Sequence, residues 1–230
     1  MNVLELFSGT GSVGKVCDKL GWKSLSVDID GRADITCDIL EWDYKQYKKD
    51  EFDIIWASPP CASFSVLQHG WIGRIKKGYD KPFTHEDIET EMKEKGDPLV
   101  KKALEIINYF KPEYWFMENP NTGRLKDRPY MKDLPYYIVD YCMYSDWGYR
   151  KRTRIWTNKT DFQPRLCDGK GTCGNMIEGL HQTNLGNTQR LLKAEAKMKH
   201  KESVSGTEKR ASLDDRYRIP EDLVISLFLD

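Results

Sequence analysis

Val3-Leu-Glu-Leu-Phe7-Ser8-Gly9-Thr10-Gly11-Ser-Val-Gly14 opens the chain with a short apolar strand, a glycine turn and the first residues of a helix. The spacing Gly-x-Gly-x-x-Gly is informative only in that strand–turn–helix context. There the glycines let the backbone turn tightly, and the helix that follows points its free N–H groups at whatever lies in the turn. The element that begins this way is the first unit of a doubly wound α/β fold. Outward from it, residues 1–158 alternate strand-like and helix-like segments, as in a mostly parallel sheet flanked by helices. Strands are expected near 3–7, 23–28, 52–57, 114–118, 137–144 and 154–157. One helix is expected to start after Gly11 and run to about Leu20, and another to run from about Pro98 to Phe110.

An acidic residue closing the second strand would hold the ribose hydroxyls of a nucleotide-like ligand, and Asp28 lies roughly 20 residues past Gly9, as such a site requires. The turn alone is compatible with a dinucleotide, with S-adenosylmethionine, or with a structural turn that binds nothing. Asp38 follows a third short segment, where it can meet an adenine.

The run Phe52-Asp-Ile-Ile-Trp-Ala-Ser-Pro59-Pro-Cys61 reads as a buried strand stopped by two prolines, which sets a thiol at the carboxyl edge of the sheet. Isolated, such a cysteine is usually a half-buried structural thiol. Here Glu118 ends a second apolar strand, Tyr114-Trp-Phe-Met-Glu118, at the corresponding edge. A nucleophile and a proton donor in apolar surroundings suit addition to a base. Arg150-Lys-Arg152-Thr-Arg154 leads into a further strand and offers bidentate donors for a carbonyl or phosphate, or else a solvated basic edge.

Taken in order, these segments resemble the DNA cytosine-5 methyltransferase family over about residues 1–158. Phe7, Ser8, Gly9, Thr10 and Gly11 are similar to its cofactor turn. Val27-Asp28-Ile29 is similar to its ribose-binding segment and Cys37-Asp38-Ile39 to its adenine-contacting one. Pro59-Pro-Cys61-Ala-Ser-Phe64-Ser resembles the nucleophile loop, Asp97-Pro-Leu99 a cofactor-packing segment, Glu118-Asn-Pro the Glu-Asn-Val motif, and Arg152-Thr-Arg154 the closing arginine pair. The resemblance implies a Rossmann-like methyltransferase fold, S-adenosylmethionine as cofactor and cytosine in DNA as substrate. Cys61 is then the nucleophile, with Glu118, Arg152 and Arg154 steadying the base. The chain departs from the pattern at Ala62, Pro120 and Arg150, and its last helix lacks Gly-Asn-Ser-Val. RNA cytosine, transfer to an exocyclic nitrogen, and a silent binding module are the competing readings. The thiol after the prolines argues against nitrogen transfer, and the intact Cys61, Glu118 and Arg154 argue against the silent module.

Residues 159–215 are Gly-, Asn- and Lys-rich and are expected to form a small irregular recognition region, with residues 216–230 returning as a helix onto the first part. Leu191–Lys201 is a basic helix candidate suited to phosphates. Cys167 and Cys173, with His181 and His200 downstream, are a possible zinc donor set. Their spacing matches no strong pattern, so a metal-free glycine-rich loop is the expectation. The 35 residues from Ala62 to Gly96 include Thr84 with Asp87 three residues on, a capping signal, and are expected to behave as a lid.

The 230 residues balance 36 Lys+Arg against 36 Asp+Glu, so net charge does not argue for a nucleic-acid partner, which a local basic face would have to hold. No segment has the roughly 18 apolar residues of a membrane span, and the N-terminus lacks a signal peptide's features. An intracellular protein with six reduced cysteines is expected.

Overall fold

The computed structural model describes residues 1–177, 179–182 and 213–229. The basic stretch 191–201 and His200 lie outside them. Seven strands form one sheet: β1 (Asn2–Leu6), β2 (Lys23–Asp28), β3 (Ile35–Thr36), β4 (Ile54–Ala57), β5 (Tyr114–Pro120), β6 (Tyr136–Asp140) and β7 (Arg152–Thr157). Their spatial order is β3-β2-β1-β4-β5-β7-β6. The strands from β1 to β5 pair in parallel and β7 runs antiparallel between β5 and β6. Because β1 has β2 on one side and β4 on the other, the winding reverses there. Ligands of open α/β sheets sit beyond the carboxyl ends of the strands at such a reversal. The glycine turn follows β1 and Cys61 follows β4, so both sit at this crevice.

Alternation along the strands sends side chains to two cores. Leu4, Leu6, Ile55, Ala57 and Met117 face helix α3 (Asp97–Phe110), which contributes Val100, Ala103, Ile106, Ile107 and Phe110. Val3, Ile54, Trp56 and Phe116 face helix α1 (Ser12–Leu20) on the other side, together with Leu223, Val224, Leu227 and Phe228 of the last helix. At roughly 1.5–3 kcal/mol per buried side chain, those four residues fasten the C-terminal helix to the sheet. The stacking of Trp22 on Phe228 at 5.7 Å and the Lys19–Glu221 bridge at 2.6 Å add orientation.

The stretch after Cys61 folds rather than looping freely. Helix α2 (His85–Glu91) opens with a Thr84–Asp87 capping box, Phe83 and Ile88 are buried, and Glu91 binds Lys76 at 2.7 Å. One π turn (Met92–Gly96) then joins α2 to α3. Strand β6 stops at Asp140, earlier than the apolar run suggests, because Tyr141–Met143 turn into a 3₁₀ helix. A small hairpin pairs β8 (Met176–Ile177) with β9 (Leu180–His181), and helix α4 (Leu213–Tyr217) precedes the last helix, α5 (Glu221–Leu229). No helix among the described residues is long and apolar enough to cross a membrane.

Candidate active site

The turn after β1 needs glycine where the sequence supplies it, since Gly9 and Gly11 have φ of 50° and 64°. Phe7 shares the left-handed region at φ 58°, held there by its N–H to the Val27 carbonyl at 2.8 Å. Asp28 Oδ2 accepts from Gly9 N at 2.8 Å and Oδ1 from Asp30 N at 2.8 Å, so the carboxylate is fixed at the mouth of the turn. Ser8 is buried and its carbonyl accepts from Gly11 N, while the Thr10 hydroxyl meets that of Ser12 at 2.9 Å. Beneath the turn, Glu5 accepts from the N–H groups of Val13 and Gly14 at 3.2 and 2.9 Å, satisfying donors at the start of α1. Burial nonetheless pushes its carboxyl up to about 7.

Cys37 N donates to the Asp28 carbonyl, which draws Asp38 and buried Ile39 alongside the Asp28 end of β2. Ile29 beside Asp28 is 74% exposed, an apolar side chain standing in solvent. Leu99 lies in the first turn of α3, half-buried against the core. A cleft of about 630 Å³ takes in Ser8, Gly9, Thr10 and Gly11 and continues along α1 and β2 past Lys15 and Ser26.

At the neighbouring strand ends, Asn119 Nδ2 donates to the Pro59 carbonyl at 2.9 Å, which locks the Pro-Pro-Cys turn to the Glu-Asn segment of β5. The residues after Cys61 are anchored in turn. Phe64 is fully buried, its carbonyl accepts from Arg124 N at 2.8 Å, and Gln68 Nε2 donates to the carbonyls of Ala62 and Ser63. Burial raises the Cys61 thiol above its ordinary value; the Glu118 charge adds to the rise and Lys151 opposes it. The three groups therefore share one electrostatic environment. Glu118 Oε1 accepts from the Tyr141 hydroxyl at 3.0 Å and lies 3.3 Å from Lys151 Nζ.

The two arginines of the closing segment are placed differently. Residues opposite one another across antiparallel strands share a face, and the register pairs Glu118 with Ile155 and Asn119 with Arg154. Arg152 and Arg154 thus lie on the opposite face of β7 from Glu118. Arg152 makes a bidentate pair with buried Asp140 at 2.9 and 2.7 Å. Arg154 donates through Nε to Asn121 Oδ1 at 3.1 Å and lies 3.7 Å over the Tyr136 ring. Neither joins Cys61 and Glu118 in the contacts of this structure. The cation beside Glu118 is Lys151, and Tyr141 completes the set. The signal for Lys151 was parity, because a residue four before Ile155 shares its face and so shares the face of Glu118.

Residues 1–128 match the family model of the C-5 cytosine-specific DNA methylases. The chain is also 44% identical over 229 residues, 99% of its length and 98% of the relative's, to a Frog virus 3 (isolate Goorha) protein named "Probable DNA (cytosine-5)-methyltransferase". The chain belongs to the C-5 cytosine-specific DNA methylase family. It is an enzyme of the DNA (cytosine-5-)methyltransferase class. The Entamoeba histolytica methyltransferase EhMeth is similar in fold, with a TM-score of 0.54 at 13% identity, covering 99% of this chain and 96% of that one. A structure of S. pombe Dnmt2 methyltransferase is similar at a TM-score of 0.45 and 12% identity, covering 88% of this chain and 67% of that one.

Proposed function

We propose that this methylase works through a covalent bond between Cys61 and C6 of a cytosine in DNA, with S-adenosylmethionine as the methyl donor. The observation that carries the reading is the shared electrostatic environment of Cys61, Glu118 and Lys151 beyond the ends of β4 and β5. The cofactor fits the residues around the glycine turn. Exposed Ile29 offers an apolar face for an adenine, Asp28 is held where ribose hydroxyls would meet it, and the positive φ at Gly9 and Gly11 lets the backbone come close. Asp38, Ile39, Pro59 and Leu99 would complete its surroundings. When bound, S-adenosylmethionine supplies the electrophilic methyl group that C5 accepts.

The rest is done by the chain. The target base leaves the stack to enter the pocket. Cys61 Sγ bonds to C6, the C5–C6 double-bond electrons shift to C5, and a proton from Glu118 at N3 balances the charge that spreads into the ring. Protonating Glu118 requires a source, and the Cys61 thiol proton is one. As Glu118 gains a proton it loses the charge that holds the thiol up, so thiolate formation and N3 protonation reinforce each other. Lys151 favours the thiolate throughout. Loss of the C5 proton to water, return of the N3 proton to Glu118 and departure of Cys61 as thiolate then restore the aromatic ring. Arg154, on the face of β7 opposite Glu118 and anchored through Nε by Asn121, acts as a positioning residue at the strand end. Arg152 is a positioning residue, since its fork is committed to Asp140.

DNA containing 5-fluorocytosine tests the covalent step, because the C5 position then has no proton to lose. The adduct should survive denaturing electrophoresis and map by peptide mass to Cys61, and Cys61→Ser should form none. Methyl groups on the exocyclic nitrogen, transfer to RNA alone, or full turnover by Cys61→Ser would overturn the reading.

A further inference from the structure

Four side chains outside the methylation site converge on one point. Cys142 comes from the 3₁₀ turn that ends β6, Cys167 from the extended segment after β7, Cys173 from a glycine-rich turn and His181 from β9. Their ligand atoms all lie within 4.8 Å of one another. His181 Nε2 is 3.5 Å from Cys173 Sγ and 3.7 Å from Cys167 Sγ. A tetrahedral zinc ion with Zn–S of about 2.3 Å and Zn–N of about 2.0 Å sets ligand–ligand edges of about 3.5–3.8 Å. We propose that Cys142, Cys167, Cys173 and His181 form a structural zinc site that fastens the small recognition region to the end of β6. This set departs from the metal-free loop expected from the sequence and differs from the possible donor set named there, with Cys142, from within the catalytic part of the chain, as the fourth ligand in place of His200.

Three further observations support a metal. Three thiols and an imidazole at one point match a closed zinc site, whereas a disulfide would use two thiols and leave the third stranded. The surroundings are also built to hold the ligands. Gly169 N donates to Cys167 Sγ at 3.4 Å and Cys167 N donates to Asp140 Oδ2 at 2.9 Å. Buried Asn175 donates to the carbonyls of Cys142 at 2.8 Å and Cys173 at 3.1 Å. Backbone N–H bonds to thiolates and fixed carbonyls are the supports such ligands use. Finally, among the described residues of 159–182 only Phe162 and Cys167 are buried hydrophobics. A segment with so little core needs a cross-link to hold a fold.

The full chain, purified under reductant, should carry about one zinc per molecule by elemental analysis and native mass spectrometry. Cys142→Ser, Cys173→Ser and His181→Ala should each lower that content about tenfold, whereas Cys61→Ser should leave it unchanged. In case those variants fail to fold, cobalt replacing zinc in the wild-type chain provides a second measure. It should give the intense d–d and thiolate charge-transfer bands of a tetrahedral cysteine-rich centre. A folded wild-type chain that carries no zinc and takes up none at micromolar concentration would overturn the proposal. So would a disulfide between any two of these cysteines in the reduced preparation, or cobalt bound with an octahedral, thiolate-free spectrum.

Discussion

Replacing Arg152 by Met separates a role in holding the fold from a role in chemistry. Its guanidinium makes two bonds to an Asp140 carboxylate whose side chain is fully buried, while the arginine itself is 39% exposed. Removing one partner of a buried pair costs about 3–5 kcal/mol. The exposure of Arg152 and the Cys167 N–H that remains on Asp140 point to the lower end, about 3 kcal/mol. With an unfolding entropy of about 2.1 cal/mol/K per residue, the 230-residue chain has about 0.5 kcal/mol/K, so Tm should fall by about 6 °C. Well below that Tm, the 5-fluorocytosine adduct should still form at Cys61 and kcat should fall by less than about tenfold, which is 1.4 kcal/mol. Calorimetry, tritium transfer from S-adenosylmethionine to mixed-sequence DNA, and trapping on the same preparation provide the three readings. If Tm stayed within a degree while kcat fell a hundredfold or more, Arg152 would belong to the reacting groups and its assignment here would be wrong.

Three other outcomes follow from the geometry. Alkylation of Cys61 by iodoacetamide should rise with pH through a midpoint above that of an ordinary thiol, because burial and Glu118 both disfavour the thiolate; Glu118→Gln should lower that midpoint and Lys151→Met should raise it, and unmoved midpoints would separate the three groups. The Glu5 carboxyl is raised in the fold, so its contribution to stability is complete below about pH 4.5 and is lost as pH rises through about 7, an effect of about 3 kcal/mol at 1.36 kcal/mol per pH unit; urea titrations of Glu5→Gln should show that dependence flattened. A Cβ on Gly96 would sit 2.6 Å from Cζ of fully buried Phe64, so Gly96→Ala should cost about 1–3 kcal/mol and slow adduct formation by displacing the loop after Cys61, whereas unchanged stability and trapping rate would show that Phe64 can move.

Local pattern made the sheet legible. The apolar runs at 3–7, 52–57 and 114–118 each became a strand within a residue or two, because a buried parallel strand needs continuous hydrophobicity that few other elements tolerate. Glycines followed by a helix start also marked the turn after β1, where conformation itself dictates residue type. The cation beside Glu118 was harder to see. Lys151 sits between two arginines that match a family pattern, and only the register with β5 shows which of them shares a face with Glu118. Cys142 was harder still, since it lies far along the chain from Cys167 and reads as one more apolar residue after a strand. Spacing rules for metal ligands capture sites built by one short segment, not those closed by tertiary contacts.

Asp140, Tyr141 and Cys142 show how a chain this short links its parts. In a strand, consecutive side chains have only two directions, up and down. Asp140 holds Arg152 and the Cys167 N–H, Tyr141 bonds Glu118, and Cys142 joins the cysteine–histidine cluster to which Cys167 belongs. The strand ends at Asp140 and a 3₁₀ turn, which rotates successive side chains by about 120°, carries Tyr141 and Cys142. The apolar run continues to Tyr144, so hydrophobicity does not end the strand. The consequence is a direct physical path between Glu118 and the segment that carries Cys167. Cys142 belongs to the cluster, and the residue before it carries the hydroxyl that donates to Glu118.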